Sequence, residues 1–200
     1  MIFGIGLSKT GTTSLYAALG QLGFRAATYR HLRSLGLEDW FRGNFETDYL
    51  AGYDAATDLP LAVFYPQLDE QYPGSRFILT VRDLDPWLES ARQHFTVNPA
   101  SSFGRQVRLA TYGITGYHEG RFRYVYETHV RNVTSYFGDR PEALLMLDIV
   151  AGEGWEKLCP FLGHKPPARA FPHVQPGYRL LGEVDRLPGS GTDILVGDEQ

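Results

Sequence analysis

The chain holds a single cysteine, Cys159, which excludes an intrachain disulfide and any metal centre built from several thiolates. It stands in the apolar run WEKLCPFLG (155–163), where a small buried hydrophobe is the expected role. Lysine is nearly as scarce: only Lys9, Lys157 and Lys165 among 19 basic residues. Long hydrophobic runs are missing, so no segment approaches the roughly 20 apolar residues that span a bilayer. No charged stretch precedes the first apolar residues, which argues against a cleaved secretion signal. A soluble, cytoplasmic protein is expected. A basic excess is missing too. The net charge of -4 disfavours nucleic acid as a general partner, while leaving room for a local basic pocket.

What is present suits one folded domain. Two hundred residues, 43% of them hydrophobic and with 12 Phe and 12 Tyr, can bury a substantial core. Short apolar runs alternate with amphipathic stretches. IFGIG (2–6), FRAAT (24–28), YDAATD (53–58, ending at Asp58), SRFILTV (75–81) and EALLMLDIV (142–150) read as strands. Helices are expected from Thr12 to about Leu22, over LAVFYPQLDEQY (61–72) with Pro60 at its start, through Trp87 and Ala91, over 121–137, and from about Trp155. Residues 95–120 read as loop or broken helix. This alternation predicts an α/β chain: a three-layer, P-loop-type fold with a mainly parallel central sheet flanked by helices. One domain is expected over 1–174, with a Pro- and Gly-rich tail over 175–200.

Parallel sheets bind ligands beyond the carboxyl ends of their strands. That edge collects Gly6–Thr13, Asp58, Arg82 and Asp148. A glycine-rich turn between a buried strand and a helix presents successive backbone N–H groups and the positive end of the helix dipole. Here the turn is GLSKTGTT (6–13). It matches the nucleotide-triphosphatase pattern G-x-x-x-x-G-K-[ST] at Gly6, Gly11 and Thr13, but Thr12 occupies the lysine position. Lys9, inside the turn, supplies the cation instead.

The run SKTGTTSL resembles the phosphosulfate-binding loop of the sulfotransferases that use 3′-phosphoadenosine 5′-phosphosulfate (PAPS). FILTVRDLDPWLES (77–90) is similar to that family's 3′-phosphate segment, a strand followed by an arginine and, eight residues on, a serine. LLMLDIVAGEGWEKLCPFLGHKPP resembles the family's late strand and the helix after it, and 53–83 with FPHV at 171–174 is similar to its short single-domain branch. The resemblance implies donor-binding residues Ser8, Lys9, Thr10, Gly11, Thr12, Thr13, Arg82 and Ser90. Lys9 would lie at the oxygen bridging phosphorus and sulfur, the loop would hold the 5′-phosphate, and Arg82 with Ser90 the 3′-phosphate. A basic clamp late in the chain is not evident; Arg169, His173 and Arg179 are candidates.

The implied reaction passes a sulfuryl group from PAPS to a small-molecule or carbohydrate acceptor, leaving 3′,5′-ADP (PAP), with no metal required. Lys9 and Thr13 would stabilise the charge that develops on the leaving oxygen. Asp58, delivered to the same edge by its strand, is the expected general base, although it could equally cap the helix after Pro60. His94 and His118 are reserve bases, and His129 reads as a hydrogen-bonded core residue. Asp148 is expected to be structural. Two other functions fit the loop less well: a P-loop kinase or nucleotide hydrolase, and a non-catalytic PAP-binding protein.

Overall fold

The apolar run at the N-terminus becomes β1 (Ile2–Gly4), the middle strand of a five-stranded, all-parallel sheet ordered β2-β3-β1-β4-β5. The structure is a computed structural model that describes residues 1–34, 37–45, 48–97 and 100–174. The expected tail at 175–200, and Arg179 within it, lie outside the described residues. The other strands are β2 (Ala26–Ala27), β3 (Ala55–Thr57), β4 (Arg76–Thr80) and β5 (Leu144–Leu147). Register pairs Gly4 with Thr57 on one side and with Ile78 on the other. The chain therefore leaves β1, β3 and β4 along one common edge.

Side chains alternate across the pleat. Phe3, Ala56, Phe77 and Leu79 enter one buried cluster; Ile2, Ala55, Ile78 and Leu147 enter another. The first is closed by α4 (Tyr65–Gln71), α5 (Leu84–Val97), α6 (Ser102–Tyr112) and α7 (Glu119–Tyr136). Leu32 of α2 (Tyr29–Ser34) and Trp40 of α3 (Glu38–Phe41) join it. The second is closed by α1 (Thr12–Gln21) and α8 (Trp155–Leu162), with Cys159 fully buried there. Sheet between two helical layers is the three-layer α/β architecture.

Two segments differ from the sequence reading. The stretch 61–72 is not one helix: a 3-10 turn at Leu61–Val63 precedes α4. Pro66 sits in the first turn of α4, where its missing N–H would have had no intrahelical acceptor, so the helix restarts around it. Residues 102–112, expected to be irregular, form a regular helix. Ser101 caps it by accepting the Gly104 N–H at 3.1 Å, and Gly113 ends it in the left-handed conformation at φ 70. The Ser and Gly residues that suggested a loop are its two caps.

Candidate functional site

The turn Ile5–Gly11 is fixed from three sides. His129 of α7 bonds the Ile5 carbonyl at 2.8 Å, and Trp87 of α5 donates its indole N–H to the Ser8 carbonyl at 2.9 Å. Thr10 donates its hydroxyl to the Leu7 carbonyl at 2.7 Å, so the 2.6 Å contact with Thr80 at the end of β4 is donated by Thr80. A Cβ on Gly6 would fall 1.9 Å from the Thr80 hydroxyl and 2.7 Å from its carbonyl oxygen. Gly6→Ala should therefore destabilise the domain by about 3 kcal/mol, the upper range for overpacking, read as a lower midpoint in denaturant melts.

Pinned in this way, the loop leads into a helix start left without a side-chain cap. Gly11 takes φ 103 and caps α1 with no side-chain bond, and no acidic residue lies in the first turn. The N–H groups of the first helical turn, Thr12–Ser14, thus have no intrahelical acceptor, and the helix dipole adds its positive end. Lys9, half-buried, has φ 75, a left-handed conformation that lysine rarely adopts. Burial first, then repulsion from Arg82, pulls its pKa below the ordinary lysine value, while Asp58 opposes the shift.

Arg82 and Asp58 flank the loop on opposite sides, because β4 and β3 are the two neighbours of β1. The Arg82 backbone is clamped by Tyr126, whose hydroxyl receives the Arg82 N–H at 2.9 Å and donates to its carbonyl at 2.5 Å. Its guanidinium reaches the Lys9 carbonyl at 3.4 Å, and its buried Nε has no hydrogen-bond partner. Ser90 lies three residues beyond Trp87 on α5, hence on the helix face that braces the loop.

Asp58 follows β3 with φ 81, a second strained non-glycine residue at the same edge. One of its carboxylate oxygens accepts the Leu59 N–H at 2.8 Å. It does not cap a helix: the 3-10 turn after it has no side-chain cap, and Leu61 bonds the Asp58 main-chain carbonyl instead. The carboxyl retains some solvent access but stands at the bottom of densely packed surroundings. Desolvation raises its pKa, and the Leu59 N–H, the Thr12 hydroxyl and Lys9 partly offset the rise. A carboxylate with raised pKa is a stronger proton acceptor than an ordinary one.

A family model described as a sulfotransferase domain matches residues 1–179. The chain belongs to this family. It is also 26% identical over 205 residues to "Ava biosynthesis cluster protein M" of Aspergillus versicolor, a match covering 85% of this chain and 78% of that protein.

Within this sulfotransferase domain the structure sorts the residues expected to bind the donor. Lys9 and Gly11 lie on the loop, Thr12 and Thr13 open α1, and Arg82 stands beside them. Thr10 is different: its hydroxyl and its N–H both bond the Leu7 carbonyl, so it braces the loop and has no donor left for a ligand. His94 is pushed down to about 4 by burial and by Lys9 and Arg108, which makes it a weak base. His118 is exposed and caps α7 through the Arg121 N–H. Asp148 closes a turn by accepting the Ala151 N–H. Trp155 donates to the Arg169 carbonyl, and Val174 donates its N–H to Ser14, bringing the described C-terminal segment back to α1.

Sequence reasoning missed Trp87, Tyr126, Tyr112 and Thr80, all of which adjoin the loop or its flanks. Only Trp87 carried a readable signal, since it shares the spacing between Arg82 and Ser90. No described helix is long and apolar enough to cross a membrane. Among the described residues, no three His, Cys, Asp or Glu side chains gather as metal ligands would. A depression of about 400 Å³ bordered by Met1, Asp54, Arg76 and His164 lies at the opposite, amino-terminal edge of the sheet, away from the loop.

Proposed function

We propose that this domain takes PAPS as donor and passes its sulfuryl group, by in-line displacement, to a hydroxyl or amine of a small-molecule or carbohydrate acceptor. It would act as a soluble cytoplasmic enzyme. The observation that carries this reading is the arrangement at one sheet edge: a lysine inside an uncapped anion loop, with an arginine on one flank and a desolvated carboxylate on the other. The half-buried guanidinium of Arg82 beside the loop suits a second phosphate, which would distinguish PAPS from a simple adenosine 5′-phosphate. Asp58 takes the proton of the acceptor as its oxygen bonds to sulfur. Lys9 and the N–H groups at the start of α1 stabilise the negative charge left on the departing phosphate oxygen. The fungal relative is named for a biosynthesis cluster, which agrees with a small-molecule acceptor.

Calorimetry with PAP, AMP and ATP–Mg²⁺ tests the donor. PAP should bind most tightly. Arg82→Ala should weaken PAP by about ten- to a hundredfold, the range for a hydrogen-bonded charge pair, while leaving AMP nearly unchanged. Equal affinity of the native protein for PAP and AMP would overturn the reading. Tighter binding and turnover of ATP–Mg²⁺ would identify a kinase or hydrolase. PAPS turnover over an acceptor panel separates the enzyme from a non-catalytic PAP binder.

A further inference from the structure

Arg82 stands just past the end of its ladder. The last bond to β5 runs from the Val81 N–H to the Leu147 carbonyl at 3.0 Å. A main chain that leaves a sheet needs other partners for its N–H and C=O groups. At Arg82 one hydroxyl supplies both, since Tyr126 accepts the N–H at 2.9 Å and donates to the carbonyl at 2.5 Å. The Tyr126 ring lies against Trp87, with centroids 4.6 Å apart and planes at 38°. Trp87 in turn donates its indole N–H to the carbonyl of Ser8, the residue before Lys9. The Arg82 guanidinium, at 3.4 Å from the Lys9 carbonyl, completes a ring of contacts through Lys9, Arg82, Tyr126, Trp87 and Ser8.

Trp87 is fully buried and Tyr126 only 8% exposed, and the polar atom of each is already engaged with main chain. Neither is placed to touch a ligand. What the ring does is hold two cationic side chains at one spacing, Lys9 on the loop and Arg82 beyond β4. A long arginine side chain is costly to order, and one ordered in advance spares the ligand that cost. We infer that Tyr126 is a positioning residue: by fixing the Arg82 main chain against the loop, it sets the preference for a nucleotide that carries a second phosphate on its ribose. The inference rests on the PAPS reading above.

The test compares Tyr126→Phe with the unaltered full-length chain, using PAP and AMP as probes in calorimetry. Phenylalanine keeps the ring on Trp87 and removes only the hydroxyl. PAP affinity should fall about tenfold, the loss of one well-placed hydrogen-bonding anchor, while AMP stays within about twofold. In an Arg82→Ala background, Tyr126→Phe should weaken PAP no further, because the hydroxyl acts through the arginine. A hydroxyl that merely supports the fold would lower the melting temperature and leave the PAP-to-AMP ratio unchanged, which would overturn the inference. Losses that simply add in the double variant would overturn it as well. If the unaltered chain shows no preference for PAP over AMP, the PAPS reading itself falls and this inference with it. Loss of that preference in Tyr126→Phe alone supports both.

Discussion

Lys9→Ala should slow sulfuryl transfer by about 10²- to 10³-fold at saturating PAPS, with the melting temperature little changed. The magnitude is that of removing one preorganised charge partner from a developing oxyanion. The side chain is placed for that task. It projects from a loop whose carbonyls are fixed by Trp87 and Arg82, and it stands beside the first turn of an uncapped helix. The small effect on stability follows from opposing changes. Alanine keeps the unfavourable φ of 75 and loses the buried stem of the lysine, but it also removes a desolvated cation next to Arg82. Lys9→Gly separates these contributions. Glycine relieves a left-handed backbone that costs roughly 1–2 kcal/mol, so it should melt above the alanine variant while being equally slow. Single-turnover transfer from PAPS, paired with thermal melts, reads both quantities. If the rate at saturating donor were unchanged and only affinity fell, Lys9 would bind the ground state without assisting the bond cleavage.

Such a strained lysine shows what the sequence could reveal and what it hid. The strand, turn and helix start around Lys9 were legible because their signal is local: a buried strand, two glycines, a lysine and a helix start lie within 12 residues of one another. The sheet was legible because all of its strands are apolar runs separated by helical spacing. Residues that act through tertiary contact left no such trace. Tyr126 is one apolar position among several on α7, and only the fold brings its hydroxyl to the Arg82 backbone. Tyr112 was hidden by a misread helix, because Ser101 and Gly113 signal loop and cap alike. Thr10 illustrates the reverse error. Its place inside the motif suggested ligand contact, but a hydroxyl that can reach a carbonyl three residues back is used there. A spacing pattern identifies which residues make up such a loop. It does not say which of them face a ligand.

Asp58→Asn should reduce transfer by about 10²- to 10⁴-fold, the usual contribution of a general base, while PAP and PAPS bind nearly as before. The same change should raise stability at neutral pH. Desolvation holds the carboxyl's folded pKa above its unfolded value of about 4, so the native state binds more protons than the unfolded chain between those two values. Stability therefore falls as pH rises through that window. Below it, native protein and variant should melt alike; above it, asparagine should melt higher. Asparagine also accepts the Leu59 N–H and tolerates the left-handed φ of 81, so the local backbone has no reason to shift. Activity has the opposite pH dependence. The base works only when deprotonated, which places the acid limb of the rate profile above the ordinary carboxylate range. That limb should disappear in the variant. Thermal melts and single-turnover rates across pH test the two signs together: a carboxylate that merely held the turn would give a lower melting temperature in Asp58→Asn at neutral pH and an acid limb that survives.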